Sequence, residues 1–212
     1  MFLRNLITVL SFMAITFTAC NSGEKDSAEP KQNDNSDNSG YEFEGFDGKP
    51  VYRITVTQGD QELGQMKVEL YPEIAPKHVR NFDSLVAIDF YDGTAFHRVI
   101  PGFMIQGGDP NSKDKPMNTW GRGDPSQKKI PAEFNDMKHV KGVISAARSS
   151  DPNSATSQFF VMHANAPHLD GKYTAYGKVI EGIEIVDKIA QVETNNRDYP
   201  VEKVEMEIIR LK

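Results

Sequence analysis

The stretch Phe96-His97-Arg98-Val99-Ile100-Pro101-Gly102-Phe103-Met104-Ile105-Gln106-Gly107-Gly108-Asp109 sets one permanent cation among large apolar side chains, then adds an amide and a glycine pair. A guanidinium in an apolar cleft is costly unless something there uses its hydrogen bonds. The segment therefore reads as a groove that grips an apolar group and presents one fixed donor to it. Gly107-Gly108 reads as a tight turn with positive φ. Nothing after it continues into a phosphate-binding loop. His97 reads as a structural, hydrogen-bonding residue.

Outward from this stretch the hydrophobic pattern is that of short strands. Residues 51–57 and 64–70 each alternate, with Gly59-Asp60 between them, which predicts a hairpin. Residues 72–87 change period: Ala75, Val79, Phe82 and Val86 form a helical stripe, and Pro76 suits its first turn. Further strands are expected at 96–100, 104–106, 142–146, 158–162 and 174–179. A second helix is expected at 181–191, and a closing strand carries Val204, Met206, Ile208 and Leu211. Many short strands with two helices predict a mainly β domain, a closed sheet capped by the helices.

The N-terminus has a different character. Arg4 precedes an almost unbroken apolar run over residues 6–17, and Thr18-Ala19 lead into Cys20, the only cysteine. A positive start, a short apolar run and small residues at the cut describe a secretory signal, here residues 1–19. Cysteine directly after Phe17-Thr18-Ala19 resembles a bacterial lipoprotein processing site. That resemblance implies an acylated Cys20 and a membrane partner, with the protein in the cell envelope, anchored to a bacterial membrane and facing the periplasm. Residues 20–40 are then the lipidated cysteine and a polar tether whose ends lie roughly 25 Å apart as a coil. The folded domain is expected over residues 41–212. The whole chain of 212 residues is 38% hydrophobic and 25% charged with net charge −6, which fits one globular domain and argues against nucleic acid as a partner.

Two more segments join the opening one: residues 142–148 continuing to Ser157-Gln158-Phe159-Phe160-Val161, and His168-Leu169-Asp170-Gly171-Lys172-Tyr173-Thr174-Ala175-Tyr176-Gly177-Lys178-Val179. With Asn81-Phe82 on the first helix, these resemble the cyclophilin family of peptidyl-prolyl cis-trans isomerases over about residues 51–212. The resemblance implies a closed eight-stranded antiparallel β-barrel capped by two α-helices. It implies an isomerase of X-Pro bonds that assists folding, acting as a monomer on proline-containing polypeptides, with no cofactor and no metal. Residue by residue, it implies catalytic roles for Arg98 and Gln106. It implies substrate-binding roles for Phe103, Met104, Ala147, Arg148, Phe160, His168, Leu169 and Tyr173. Arg148 stands where many members carry Asn, His168 where many carry Trp, and Tyr173 where many carry His.

Other chemistries are weakly supported. His163 and His168 have no carboxylate or cysteine companions at metal-ligand spacing. Ser145, His163 and Asp170 could be named as a hydrolase triad, but no Gly-x-Ser-x-Gly elbow accompanies them. Residues 110–133 form a long polar loop. Trp120 within it either packs over the groove edge or anchors the loop.

Overall fold

A computed structural model of the chain describes residues 45–212. The expected signal peptide, Cys20, the tether and residues 41–44 lie outside the described residues. The strands are β1 Val51–Gln58, β2 Gln61–Leu70, β3 Thr94–Ala95, β4 Arg98–Ile100, β5 Met104–Gly107, β6 Val143–Ala146, β7 Phe159–Met162, β8 Ala175–Glu181 and β9 Val204–Arg210. The helices are α1 Pro76–Ala87 and α2 Ile183–Ala190. All strand pairings are antiparallel, in the order β3-β9-β1-β2-β8-β6-β7-β5-β4.

Four details differ from the sequence expectation. The sheet has nine strands rather than eight, and no ladder closes it among the described residues: β3 and β4 stand at opposite ends of the order. The seam is spanned covalently, because only Phe96 and His97 separate these two edge strands. The single strand expected at 96–100 is therefore split. Phe96 N–H donates to Val204 O at 2.9 Å and Val99 N–H to Asp198 O at 2.8 Å, so the chain exchanges one neighbour for another as it crosses. The second helix is also shorter than expected, because Gly182 at φ +77° ends β8 and turns the chain into α2. A Cβ there would collide with Gln65 O.

Strand alternation divides the apolar residues between the two faces of the sheet. Tyr52, Ile54, Val56, Met66, Val68 and Leu70 of the first hairpin are wholly buried in the main core. Helix α1 adds Val79, Phe82 and Val86 and packs on β9; α2 adds Ile185, Val186 and Ile189 and packs on β2 and β5. Phe82 lies at the centre of an aromatic group, with ring centroids 5.2 Å from Tyr52, 5.0 Å from Tyr91 and 5.6 Å from Phe159. A smaller cluster, with Met104, Phe160, Met162 and Leu169, lies apart from this core. It is the cluster that builds the site.

The N-terminus of α1 is capped from a distance. Its N-cap residue, Ala75, has no side-chain hydrogen bond to offer. Instead, the Glu133 carboxylate accepts from Lys77 N–H at 3.1 Å and His78 N–H at 3.0 Å, and lies 2.6 Å from His78 Nδ1. Burial pushes the Glu133 pKa up, but the hydrogen bonds from the His78 side chain and these amides outweigh it and hold the group below its usual value. Replacing Glu133 with alanine frees two helix-end donors and is expected to destabilise the domain by about 1–2 kcal/mol. Urea unfolding of both proteins measures it; an unchanged midpoint would mean that water caps the helix equally well.

Candidate active site

The register of four strands sets the site. Arg98 of β4 faces Gln106 of β5, Gln106 faces Phe160 of β7, and Phe160 faces Ser145 of β6. Directly opposed residues share a face, and residues two apart on a strand share it too. The neighbouring row, Val99, Ile105, Val161 and Ile144, points the other way into the main core. Thus Arg98, Gln106, Met104 and Phe160 share the face away from that core.

These residues line a cleft of about 130 Å³ with Phe103, Ala147, Arg148, Leu169 and Tyr173. That is well below the roughly 300–1,000 Å³ of a drug-sized ligand site and suits a single small ring or side chain. Nine of the ten residues expected in the site are therefore brought together. His168, the tenth, does not line the cleft; it is exposed and stacks on Phe103 at 5.7 Å. The cleft is apolar at its base, where Met104, Phe160 and Leu169 are buried. Its polar groups stand at the edge. Arg98 is 41% exposed, its Nε 3.7 Å from the Asp198 carboxylate.

The two amides beside it form a relay with a fixed direction. Gln158 donates to Gly121 O at 3.4 Å, and its own oxygen accepts from Gln106 Nε2 at 3.0 Å. Gln106 retains its carbonyl oxygen and a second N–H for the cleft. Gln158 thus acts as a positioning neighbour that the sequence pattern did not single out. Arg148 is committed elsewhere: it donates to Ser149 O at 2.8 Å and Lys172 O at 2.9 Å, and lies 4.3 Å over the Tyr173 ring. It ties the two rim segments together.

A serine-histidine-aspartate arrangement exists, but with a different histidine from the one named above. His163 is remote from Ser145: its Nδ1 accepts from Gly102 N–H at 2.8 Å and its Nε2 lies 3.2 Å from Asp187. It braces the turn that carries Phe103. His139 takes the central position, with Nδ1 3.1 Å from Asp170 and Nε2 3.1 Å from Ser145 Oγ. Ser145 is wholly buried and donates to Thr174 O at 2.8 Å, so no substrate reaches it as a nucleophile. Burial lowers the His139 pKa against the pull of Asp170. The imidazole stacks on Phe160 at 6.2 Å, and the triad serves as a polar brace behind the apolar floor. No spacing in the sequence announces His139; only the loop's return across β6 does.

His97 differs from expectation. It is 1% exposed, and neither ring nitrogen makes a hydrogen bond. Gly108 has the expected positive φ, but Gly107 does not; a Cβ on Gly107 would lie 2.5 Å from Met206 Cε, so close packing explains that glycine. Trp120 is buried, donates to Lys115 O at 3.0 Å and accepts at its carbonyl from Tyr199 Oη at 3.2 Å. It anchors the loop and does not line the cleft. Asp109 fastens the first half of the same loop, accepting from Asn111 N–H at 3.0 Å and Gly121 N–H at 2.5 Å. Among the described residues, no three His, Cys, Asp or Glu side chains cluster to hold a metal, and no helix is long and apolar enough to cross a membrane.

Known proteins resemble this chain in sequence and in fold. The sequence model of the cyclophilin-type peptidyl-prolyl cis-trans isomerases matches residues 53–211. A probable peptidyl-prolyl cis-trans isomerase of Brucella suis is 47% identical over 130 residues, covering 59% of this chain and 66% of the relative, slightly under two thirds of its length. An Arabidopsis thaliana peptidyl-prolyl cis-trans isomerase is 43% identical over 147 residues, covering 68% of this chain and 88% of the relative. A crystal structure of a Cryptosporidium parvum cyclophilin-type isomerase superposes with TM-score 0.68 at 29% identity, covering 77% of this chain and 98% of that one. A second crystal structure of that protein, obtained in the presence of the dipeptide Ala-Pro, gives TM-score 0.67 at 30% identity, covering 76% of this chain and 99% of that one. With three quarters of its length under one family model and the same fold in solved members, the chain belongs to the cyclophilin-type peptidyl-prolyl cis-trans isomerases.

Proposed function

We propose that this protein accelerates rotation about X-Pro bonds in protein clients and does so as a lipid-anchored monomer at a bacterial cell envelope, on the periplasmic side. The observation that carries the catalytic part is the placement of Arg98 opposite Gln106 at the edge of a small apolar cleft floored by Met104, Phe160 and Leu169. The reading of the anchor is supported by the residues before Cys20.

The chemistry follows from amide resonance. Resonance sets a barrier of about 18–20 kcal/mol to rotation. In the twisted state that resonance weakens, and the prolyl nitrogen becomes pyramidal with a free lone pair. A donor aimed at that lone pair binds the twisted state better than either planar one, and only such differential binding lowers the barrier. Arg98 supplies a permanently charged, rigid donor. Phe103, Met104, Phe160 and Leu169 hold the ring and exclude water, which strengthens the bond. Gln106, oriented by Gln158, contacts the carbonyl side as it turns. Ala147, Arg148 and Tyr173 shape the groove along which the client backbone lies, and His168 supports Phe103. An acceleration of about 10⁵ needs roughly 7 kcal/mol. One charged hydrogen bond supplies about 1.5–3 kcal/mol, so positioning and desolvation carry the remainder.

The test uses the full chain, produced in a bacterium fed an alkynyl fatty acid. The label is expected on the protein in the membrane fraction, and the same fraction is expected to accelerate isomerisation of an Ala-Pro peptide. Cys20→Ser is expected to lose label and membrane association while keeping its isomerisation rate. Absence of acceleration overturns the activity; a label that survives Cys20→Ser overturns the anchor.

A further inference from the structure

Arg98 reaches the cleft from a solvent-exposed edge, and a long side chain there gives up rotational freedom when it is aimed. Among the described residues its guanidinium has a single ionic partner, the Asp198 carboxylate 3.7 Å from Nε, and no side-chain hydrogen bond. Asp198 is itself unusual. Its φ is +63°, and the only other described residue besides glycine with a positive φ is Asp89, in the turn after α1. The left-handed region is unfavourable for a residue with a Cβ, and it persists where the surrounding structure enforces it, most often at functional sites.

Residues 193–201 supply that enforcement. Thr194 and Pro200 form a bridge, and Val201 N–H donates to Glu193 O at 2.9 Å. Inside the loop, Asn195 N–H donates to Tyr199 O at 2.8 Å and Asp198 N–H to Asn195 O at 3.0 Å. Asn195 Oδ1 accepts from Arg197 N–H at 2.9 Å and Tyr199 N–H at 3.2 Å. Tyr199 Oη, bonded to Trp120 O, fastens the loop to the body of the domain. From this frame Asp198 turns two acceptors on β4: its carbonyl takes Val99 N–H at 2.8 Å, and its carboxylate faces Arg98 Nε. Glycine would adopt the same φ with less strain but would bring no carboxylate.

We infer, on the reading of Arg98 given above, that Asp198 is a positioning residue for the isomerisation: its carboxylate holds the Nε side of the guanidinium and leaves the two terminal nitrogens for the prolyl nitrogen of the twisted bond. The rigid fork transmits that hold, since fixing one nitrogen fixes the plane of all three. Both partners are exposed, so the pair adds little to the stability of the fold. Its effect lies in where the donor points when the bond turns.

Substitution separates this role from the turn. Asp198→Asn keeps a residue that tolerates the left-handed region and removes the charge, and Asp198→Gly favours the turn outright. Both are expected to unfold at or above the parent's temperature. For an uncharged, end-blocked Ala-Pro peptide, kcat is expected to fall about threefold to tenfold while KM stays within about twofold. The ratio of parent to variant should shrink in about 1 M NaCl, because salt screens an exposed pair. Nitrogen-15 relaxation at Arg98 Nε should show a less ordered side chain in both variants. In an Arg98→Ala background, Asp198→Asn is expected to change nothing further. If the parent accelerates isomerisation and Asp198→Asn is equally fast or faster, the positioning role is overturned while Arg98 keeps its own. A further loss of rate in the Arg98→Ala background overturns it too. A parent that gives no acceleration overturns the activity itself and the positioning role with it.

Discussion

Replacing Arg98 with alanine is expected to lower kcat/KM for an Ala-Pro peptide by about 10²–10³-fold, the range found when a single preorganised donor is removed from a transition state. The effect should fall on kcat, because the proposed hydrogen bond forms only while the peptide bond is twisted. Binding of the ground-state peptide should change little, since the residues proposed to hold its proline, Phe103, Met104, Phe160 and Leu169, stay in place and still line the cleft. The fold should survive. Arg98 is 41% exposed and its carboxylate neighbour Asp198 is 48% exposed, so truncation strands no buried charge. Lysine at the same position keeps the charge but loses the rigid fork, and is expected to recover only part of the rate. Thermal unfolding of both variants beside the coupled peptide assay separates catalysis from stability. Equal rates for Arg98→Ala and the parent would remove Arg98 from the mechanism. Loss of peptide affinity with unchanged kcat would recast it as a binding residue.

The strands and helices were legible because alternation and helical periodicity are local properties of the chain. The hairpin at Gly59-Asp60 and the stripe of Val79, Phe82 and Val86 appear where the pattern places them. The seam was not legible. Phe96 and His97 continue the apolar run of residues 96–100, and only the competing partners, Val204 and Asp198, show that the chain changes neighbours there. The count of strands was missed for the same reason, since β3 is two residues long. The cleft was legible as a set, because the motif that carries Arg98, Phe103, Met104 and Gln106 is contiguous. The supports behind it were not. Gln158 and His139 act through hydrogen bonds to residues 52 and 31 positions away. No local spacing encodes such pairs; the topology of β5, β6 and β7 does.

The same seam holds a charge-sensitive element, and acid should reveal it. His97 is 1% exposed with both ring nitrogens unbonded. Burial pushes its pKa from 6.5 down to about 4; the Asp109 carboxylate pulls the other way, and the Arg98 charge adds to the fall. The folded protein therefore holds His97 neutral while the unfolded chain binds a proton near pH 6.5. Between those two values the unfolded state carries more protons, so stability rises with pH. The contribution is fully present above about pH 6.5 and is lost progressively as pH falls to about 4. A separation of that size corresponds to about 3 kcal/mol, a large share of the stability of a domain this size. His97→Gln removes the titration while keeping a polar side chain of similar length. Its unfolding free energy should fall less steeply than the parent's between pH 7 and pH 4, by about 3 kcal/mol over the interval. Parallel curves for the two proteins would assign the acid sensitivity to other groups, with His139, also held neutral by burial, the next to test. Because Arg98 is the next residue, charging His97 places a second cation against the proposed donor. Turnover in the parent should therefore fall on the acid side before the fold is lost, and in His97→Gln it should not.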